Sequence, residues 1–126
     1  MLAVPTEYSE QVELFKWARL VKTPLGPLSN YMFAIPNEGK RSHQTAARLK
    51  AQGLRPGIPD VMIALPLNGK PGLFIEMKRQ KGSKVSDNQK RWLERLSRAG
   101  YVTAVALGFE QAREIVERYL EGGSLD

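Results

Sequence analysis

The chain contains no cysteine. A disulfide framework, a thiolate nucleophile and cysteine-ligated zinc are therefore excluded. Histidine is almost as scarce. His43 stands alone, which rules out a site built on several imidazoles, and beside Ser42 it reads as a surface or cap residue. No apolar run approaches the roughly 20 residues that a membrane helix needs. The first ten residues carry Glu7 and Glu10 rather than a basic segment followed by an apolar one, so no signal peptide is expected and the cytoplasm is the default address. No repeat, low-complexity stretch or linker divides the 126 residues. That length predicts one domain around one core, and 42% hydrophobic with 25% charged residues is enough to build it without staples. Nineteen Lys and Arg against thirteen Asp and Glu leave a net charge of +6. Such an excess on a small surface suits a polyanion such as nucleic acid; a merely solvated basic surface is the alternative.

Local patterns predict the elements. Thr6 or Ser9 can cap a first helix reaching about Val21, with Leu14, Ala18 and Val21 on one face. Pro24, Gly26 and Pro27 end it. Tyr31–Ile35 reads as a strand and Ser42–Gln52 as a second helix stopped by Gly53. The turn-rich run from Gly53 to Pro59 delivers Asp60 into a strand, Val61–Leu65. A hairpin connection containing Asn68-Gly69 leads into the next strand, Leu73–Lys78. Ser86 caps a helix to about Ala99, with Gly100 as its stop. Tyr101–Leu107 is a β-branched strand, Phe109–Leu120 a closing helix, and the last six residues are expected to fray. The order α-β-α-β-β-α-β-α predicts an α/β fold with a mixed sheet and helices on its faces.

The sharpest chemical signal is Pro59-Asp60 followed, sixteen residues on, by Glu76-Met77-Lys78. Side chains at i and i+2 of a strand share a face, so Glu76 and Lys78 emerge together. If the two strands form a hairpin, Asp60 pairs near Glu76. Two carboxylates and an ammonium then converge at one end of the sheet. Hard Mg²⁺ or Mn²⁺ prefers such oxygens. Asp60 and Glu76 supply carboxylates, and the Met77 backbone carbonyl is placed to supply a third oxygen. The metal would polarise a phosphoryl oxygen and acidify water, while Lys78 could orient that water or stabilise developing negative charge. The competing reading is a solvent-facing cross-strand salt bridge. Against it, Leu73-Phe74-Ile75 is so apolar that the strand should be buried on both faces.

Two further positions have open readings. Gln89 shares a helix face with Trp92, Leu93 and Leu96. An amide there is either an ordinary rim residue or a group reaching the attacking water or the scissile phosphate. The first helix offers Glu7, Glu10 and Glu13, any of which could be a surface or helix-dipole carboxylate. Glu10, one turn before Leu14, is the choice as a further metal-site acid.

With these residues in place the chain resembles the VRR-NUC family, a branch of the PD-(D/E)xK nuclease superfamily found as a stand-alone domain in phages and bacteria. The similarity runs from about Ser9 to Leu120. Its anchors are Ser9-Glu10, Pro36-Asn37 with Gly39, the run Gly53 to Asp60, Gly72 to Lys78, Gln89, and Ala99-Gly100-Tyr101. The resemblance implies a restriction-endonuclease-like fold and metal-dependent phosphodiester hydrolysis in DNA. It puts the metal ligands at Asp60 and Glu76 with Glu10 from the first helix, the catalytic lysine at Lys78 and the helix glutamine at Gln89. It further implies a homodimer acting on branched DNA, notably four-way (Holliday) junctions, inside a bacterial or phage-infected cell. Two cuts across such a junction need two active sites, which a dimer supplies.

The remaining cations fit a DNA track. Lys40, Arg41, Arg48 and Lys50 surround the second helix, Arg55 lies in the turn before Asp60, and Arg79, Lys81 and Lys84 follow the active strand. Contacts of this kind position DNA without reading bases and weaken steeply with salt. Tyr8, Tyr31 and Trp92 are assigned to packing. The alternatives keep the same site for flaps, nicks or plain duplex, or take the chain as an inactive DNA-binding module or a basic RNA-binding protein.

Overall fold

Thr6 opens the first helix, its side chain accepting the Ser9 N–H at 3.1 Å, and α1 runs Glu7–Ala18. Leu14 and Ala18 are buried on the predicted face, and Glu10 is buried with them. In this computed structural model the structure describes residues 3–36 and 43–122. The helix ends three residues earlier than Val21, because the chain turns into a small hairpin absent from the expected order. Its strands are β1 (Lys22–Thr23) and β2 (Gly26–Pro27). The Thr23 hydroxyl donates to the Gly26 carbonyl at 2.7 Å and accepts the Leu25 N–H at 3.1 Å. A short 3-10 turn, Leu28–Asn30, then buries Leu28.

The main sheet has four strands, β3 (Met32–Ala34), β4 (Val61–Ile63), β5 (Leu73–Lys78) and β6 (Val102–Leu107), in the order β3-β4-β5-β6. β3, β4 and β5 are antiparallel neighbours, while β6 runs parallel to β5. The mixed sheet and the element order agree with expectation. β4 stops two residues short of Leu65. Leu65 is nonetheless buried, and its carbonyl accepts the Tyr119 hydroxyl at 2.7 Å. Asn68 and Gly69 both have positive φ, 52° and 79°, as the tight hairpin turn joining β4 to β5 requires.

Helices α2 (His43–Ala51), α3 (Asp87–Arg98) and α4 (Phe109–Glu121) complete the fold. α4 continues through Glu121 and is capped by Gly122 in the left-handed region. The expected fraying therefore does not begin at Glu121, and residues 123–126 lie outside the described residues. Leu73, Ile75 and Met77 join Leu14 and Ala18 of α1 and Ala112, Val116 and Tyr119 of α4 in one core. Alternation along β5 sends Phe74, Glu76 and Lys78 to the opposite face, where Phe74 meets Tyr101 edge-on at 5.0 Å and where α3, the crossover between β5 and β6, covers the sheet. All six residues of β5 are buried, as the apolar run predicted. Among the described residues no helix is long and apolar enough to cross a membrane.

Candidate active site

The site is built where β4 begins and β5 ends. Antiparallel pairing sets Val61 opposite Ile75, so the next pair outward is Asp60 and Glu76. Pro59 is fully buried and holds the entry to β4. The Asp60 carbonyl accepts the Ile35 N–H at 2.8 Å, which extends the ladder by one step and fixes the backbone. Its side chain turns inward, and Oδ2 accepts the Met77 N–H at 2.8 Å. In an extended strand a residue's N–H and C=O point to the same edge. The Met77 carbonyl is therefore directed toward Asp60, past the first residue of β4.

Glu76 and Lys78 are 1% and 9% exposed. A surface salt bridge is thus excluded as the account of these charges. The Glu76 carboxyl is pushed from 4.5 up to about 9, first by burial, then by a hydrogen bond and charge repulsion from Asp60; Lys78 opposes the rise and Glu7 adds to it. One oxygen, Oε1, is buried with no hydrogen-bond partner among the described residues. A buried carboxylate without partners is costly, and two adjacent carboxylates resist sharing negative charge. Both penalties vanish if a cation sits between them. Hard oxygen donors from Asp60, Glu76 and the Met77 carbonyl fit Mg²⁺ or Mn²⁺, which take one or two carboxylates and fill the remaining positions with water and substrate phosphate. The described residues hold no cluster of three or more acidic or histidine side chains that could bind a metal on its own, so the donor set is of that open kind.

The first-helix acids separate clearly. Glu13 is exposed and pairs with Lys16 at 3.5 Å. Glu10 is 6% exposed and reaches the end of β5, but its Oε1 accepts from Gln80 Nε2 at 2.8 Å and from the Phe109 N–H at 3.2 Å. It thereby caps α4, whose own N-cap, Gly108, offers no side chain. A Cβ on Gly108 would lie 2.8–2.9 Å from both Glu10 oxygens, so only glycine admits this approach. Glu10 Oε2 has no partner among the described residues. Glu7, exposed at the start of α1, is the first-helix acid whose charge acts on Glu76. Gln80 was not anticipated as a partner; it is an exposed-type residue after a strand, and nothing in its local sequence signals a contact 70 positions away.

Gln89 has a structural occupation. Its Oε1 accepts the Ser86 N–H at 2.8 Å, and its own N–H donates to Ser86 Oγ at 3.2 Å, a complete capping box. The spacing Ser86-x-x-Gln89 carries that signature, so the residue type is explained without chemistry. Gln89→Ala is expected to cost about 1 kcal/mol of stability in urea unfolding with kcat for DNA cleavage changed less than about threefold. A loss of kcat by orders of magnitude at unchanged stability would restore the catalytic reading.

Of the expected DNA contacts, Arg55, Arg79, Lys81 and Lys84 are exposed, as are Arg48 and Lys50 on α2. Arg79 Nη2 donates to the Val4 carbonyl at 3.1 Å, which ties the N-terminal segment to the end of β5. Lys40 and Arg41 lie outside the described residues, as do Asn37, Gly39 and Ser42.

The fold has a counterpart among known proteins. The model of the VRR-NUC domain matches residues 6–110, a span containing Asp60, Glu76, Lys78, Gln89 and Glu10. A solved structure named as a VRR_NUC domain protein superposes with a TM-score of 0.84 at 28% identity, covering 98% of this chain and 95% of that one. Among curated proteins none matches. The chain belongs to the VRR-NUC family of nucleases.

Proposed function

We propose that the chain is a Mg²⁺- or Mn²⁺-dependent endonuclease that hydrolyses phosphodiester bonds in DNA, with Asp60, Glu76 and the Met77 carbonyl as the cation's ligands. The observation that carries this reading is buried Glu76 set against half-buried Asp60, with one Glu76 oxygen orphaned and Lys78 on the same face. When bound, the cation supplies polarisation of a phosphoryl oxygen and a lowered pKa for water.

The chain's own residues do the rest. The Met77 N–H locks the Asp60 carboxylate in one orientation, so the site needs little reorganisation as charge develops. Lys78 holds an ammonium beside Glu76 in a buried setting, where it can donate to the attacking oxygen or to a phosphoryl oxygen gaining charge. In the step itself the water oxygen bonds to phosphorus, one ester P–O bond breaks, and the departing sugar oxygen takes a proton. Glu10 holds Gln80 and the start of α4 against the end of β5. It steadies the strand that carries Lys78, and as a further metal acid its free oxygen would have to serve. Selectivity for four-way junctions by a homodimer belongs to the same proposal and rests on the family resemblance and on the two-cut symmetry of that substrate.

The test is cleavage of labelled four-way junctions, flaps, nicked and linear duplex with Mg²⁺, with Mn²⁺ and with chelator, alongside Asp60→Ala and Lys78→Ala. Paired cuts on the junction that need metal and vanish in both variants are expected. Cutting of flaps or linear duplex in preference would remove the junction assignment. DNA binding without cleavage of any substrate would replace the nuclease with a binding module.

A further inference from the structure

On the α3 side of the sheet lies a cleft of about 440 Å³ bounded by Arg55 and Pro56 of the turn before Asp60 and by Asn88, Arg91, Trp92 and Arg95 of α3. Three guanidinium groups thus face one concavity, and none of its lining residues is acidic. Two arginines on other parts of the surface are given acids. Arg98, on the same helix, pairs with Glu94 at 2.7 Å, and Arg113 pairs with both Glu110 and Glu117. Among the described residues Arg55, Arg91 and Arg95 make no such pair. Two of them are held in place instead. Arg95 lies over the Trp92 ring, 4.6 Å from its centroid, and Arg91 Nε donates to the Asp87 carbonyl at 3.4 Å. Like charges gathered in a hollow and kept from acids raise the free energy of the isolated protein and lower it when an anion enters.

The cleft is also tied mechanically to the carboxylates. Gly57, at φ +86°, presses on the start of α3 so closely that a Cβ there would lie 2.6–2.9 Å from the Asn88 backbone and Cβ. Asp60 follows three residues later. Arg55 is five residues from Asp60, so their Cα atoms are at most roughly 18 Å apart, a span of about five nucleotides of one strand. We infer that this cleft is a second phosphate-binding subsite, which grips the sugar–phosphate backbone of the DNA a few nucleotides from the bond that is cut. It rests on the reading of DNA as the substrate. Its three arginines act as one clamp, with Trp92 serving to hold Arg95 flat rather than to stack a base.

The experiment uses the full chain and fluorescein-labelled four-way junction and linear duplex, bound in chelator over a range of KCl, with Arg91→Gln, Arg95→Gln, the double variant and Arg98→Gln. The two single variants are expected to bind about five- to tenfold more weakly, and the slope of log K against log salt to fall by about one per arginine removed. With Mn²⁺, KM rises and kcat at saturating DNA stays within about twofold. Arg98→Gln, from a surface salt bridge, changes neither. Arg91→Lys, which keeps the charge, retains the salt slope and guards against a folding defect. A double variant that binds with wild-type affinity and slope overturns the inference while leaving the nuclease standing. Binding that follows the expected pattern in a protein that never cuts overturns the nuclease and leaves the subsite.

Discussion

Glu76→Gln is expected to abolish cleavage and, in metal-free buffer at pH 8, to make the protein more stable. The two effects have one cause. The wild-type side chain is 1% exposed, lies against a second carboxylate and leaves one oxygen without a partner. Glutamine has the same shape, donates from Nε2 to Asp60, and is spared the proton uptake that the wild-type acid must undergo to fold at pH 8. Removing an uncompensated buried group of this kind is worth about 1 kcal/mol or more, roughly 4 °C in Tm for a chain of this size. Cleavage falls because a neutral amide oxygen is a poor ligand for a hard cation. Electrostatic stabilisation of several kcal/mol by that cation corresponds to about a thousandfold or more in rate. Thermal unfolding in chelator and single-turnover cleavage in Mn²⁺ read the two halves. A glutamine variant less stable than wild type would mean that the carboxylate serves the fold, and the metal reading would lose its main support.

Stability of the metal-free protein should decline as pH rises from about 5 to about 9. Folded Glu76 keeps its proton up to about 9, whereas the unfolded chain releases it near 4.5. Between those values the native state binds more protons than the unfolded state, so raising the pH favours unfolding. Below about 4.5 both states are protonated and the contribution is fully present; through the folded value it is lost. Urea midpoints in chelator at half-unit steps should show this slope in wild type and a flatter profile in Glu76→Gln. Parallel profiles would remove Glu76 as the titrating group. Mn²⁺ is expected to reverse the trend, because a metal held by Glu76 would take the deprotonated acid. Its affinity should rise by about tenfold per pH unit in this window, with about one proton released per ion in calorimetry.

What could be read in the sequence was set by short-range geometry. Glu76 and Lys78 share a face because strand side chains alternate, and Asp60 opposes Glu76 because a tight Asn68-Gly69 turn fixes antiparallel register. Those relations are local and survive without knowledge of the rest of the chain. Glu10 shows the boundary. Its burial followed from its spacing to Leu14, but its partners Gln80 and Phe109 are 70 and 99 positions away, and no periodicity encodes them. Gln89 shows the opposite case. Its local signature, Ser86-x-x-Gln89, is enough to encode the capping contacts that the structure shows. The β1–β2 hairpin went unseen because Pro24, Gly26 and Pro27 read as breakers, while its closure depends on one threonine hydroxyl.

α4 begins at Gly108, against the end of β5 that bears Lys78, and finishes beside the Asn68 turn, where a Cβ on Gly122 would touch the Asn68 side chain. Thirteen helical residues amount to roughly 20 Å of rise. The helix therefore acts as a spacer between the reactive rim of the sheet and its inert rim. A tag or fluorophore joined after Gly122 is therefore expected to leave cleavage unchanged, since Gly122 stands at the end of the sheet away from Lys78.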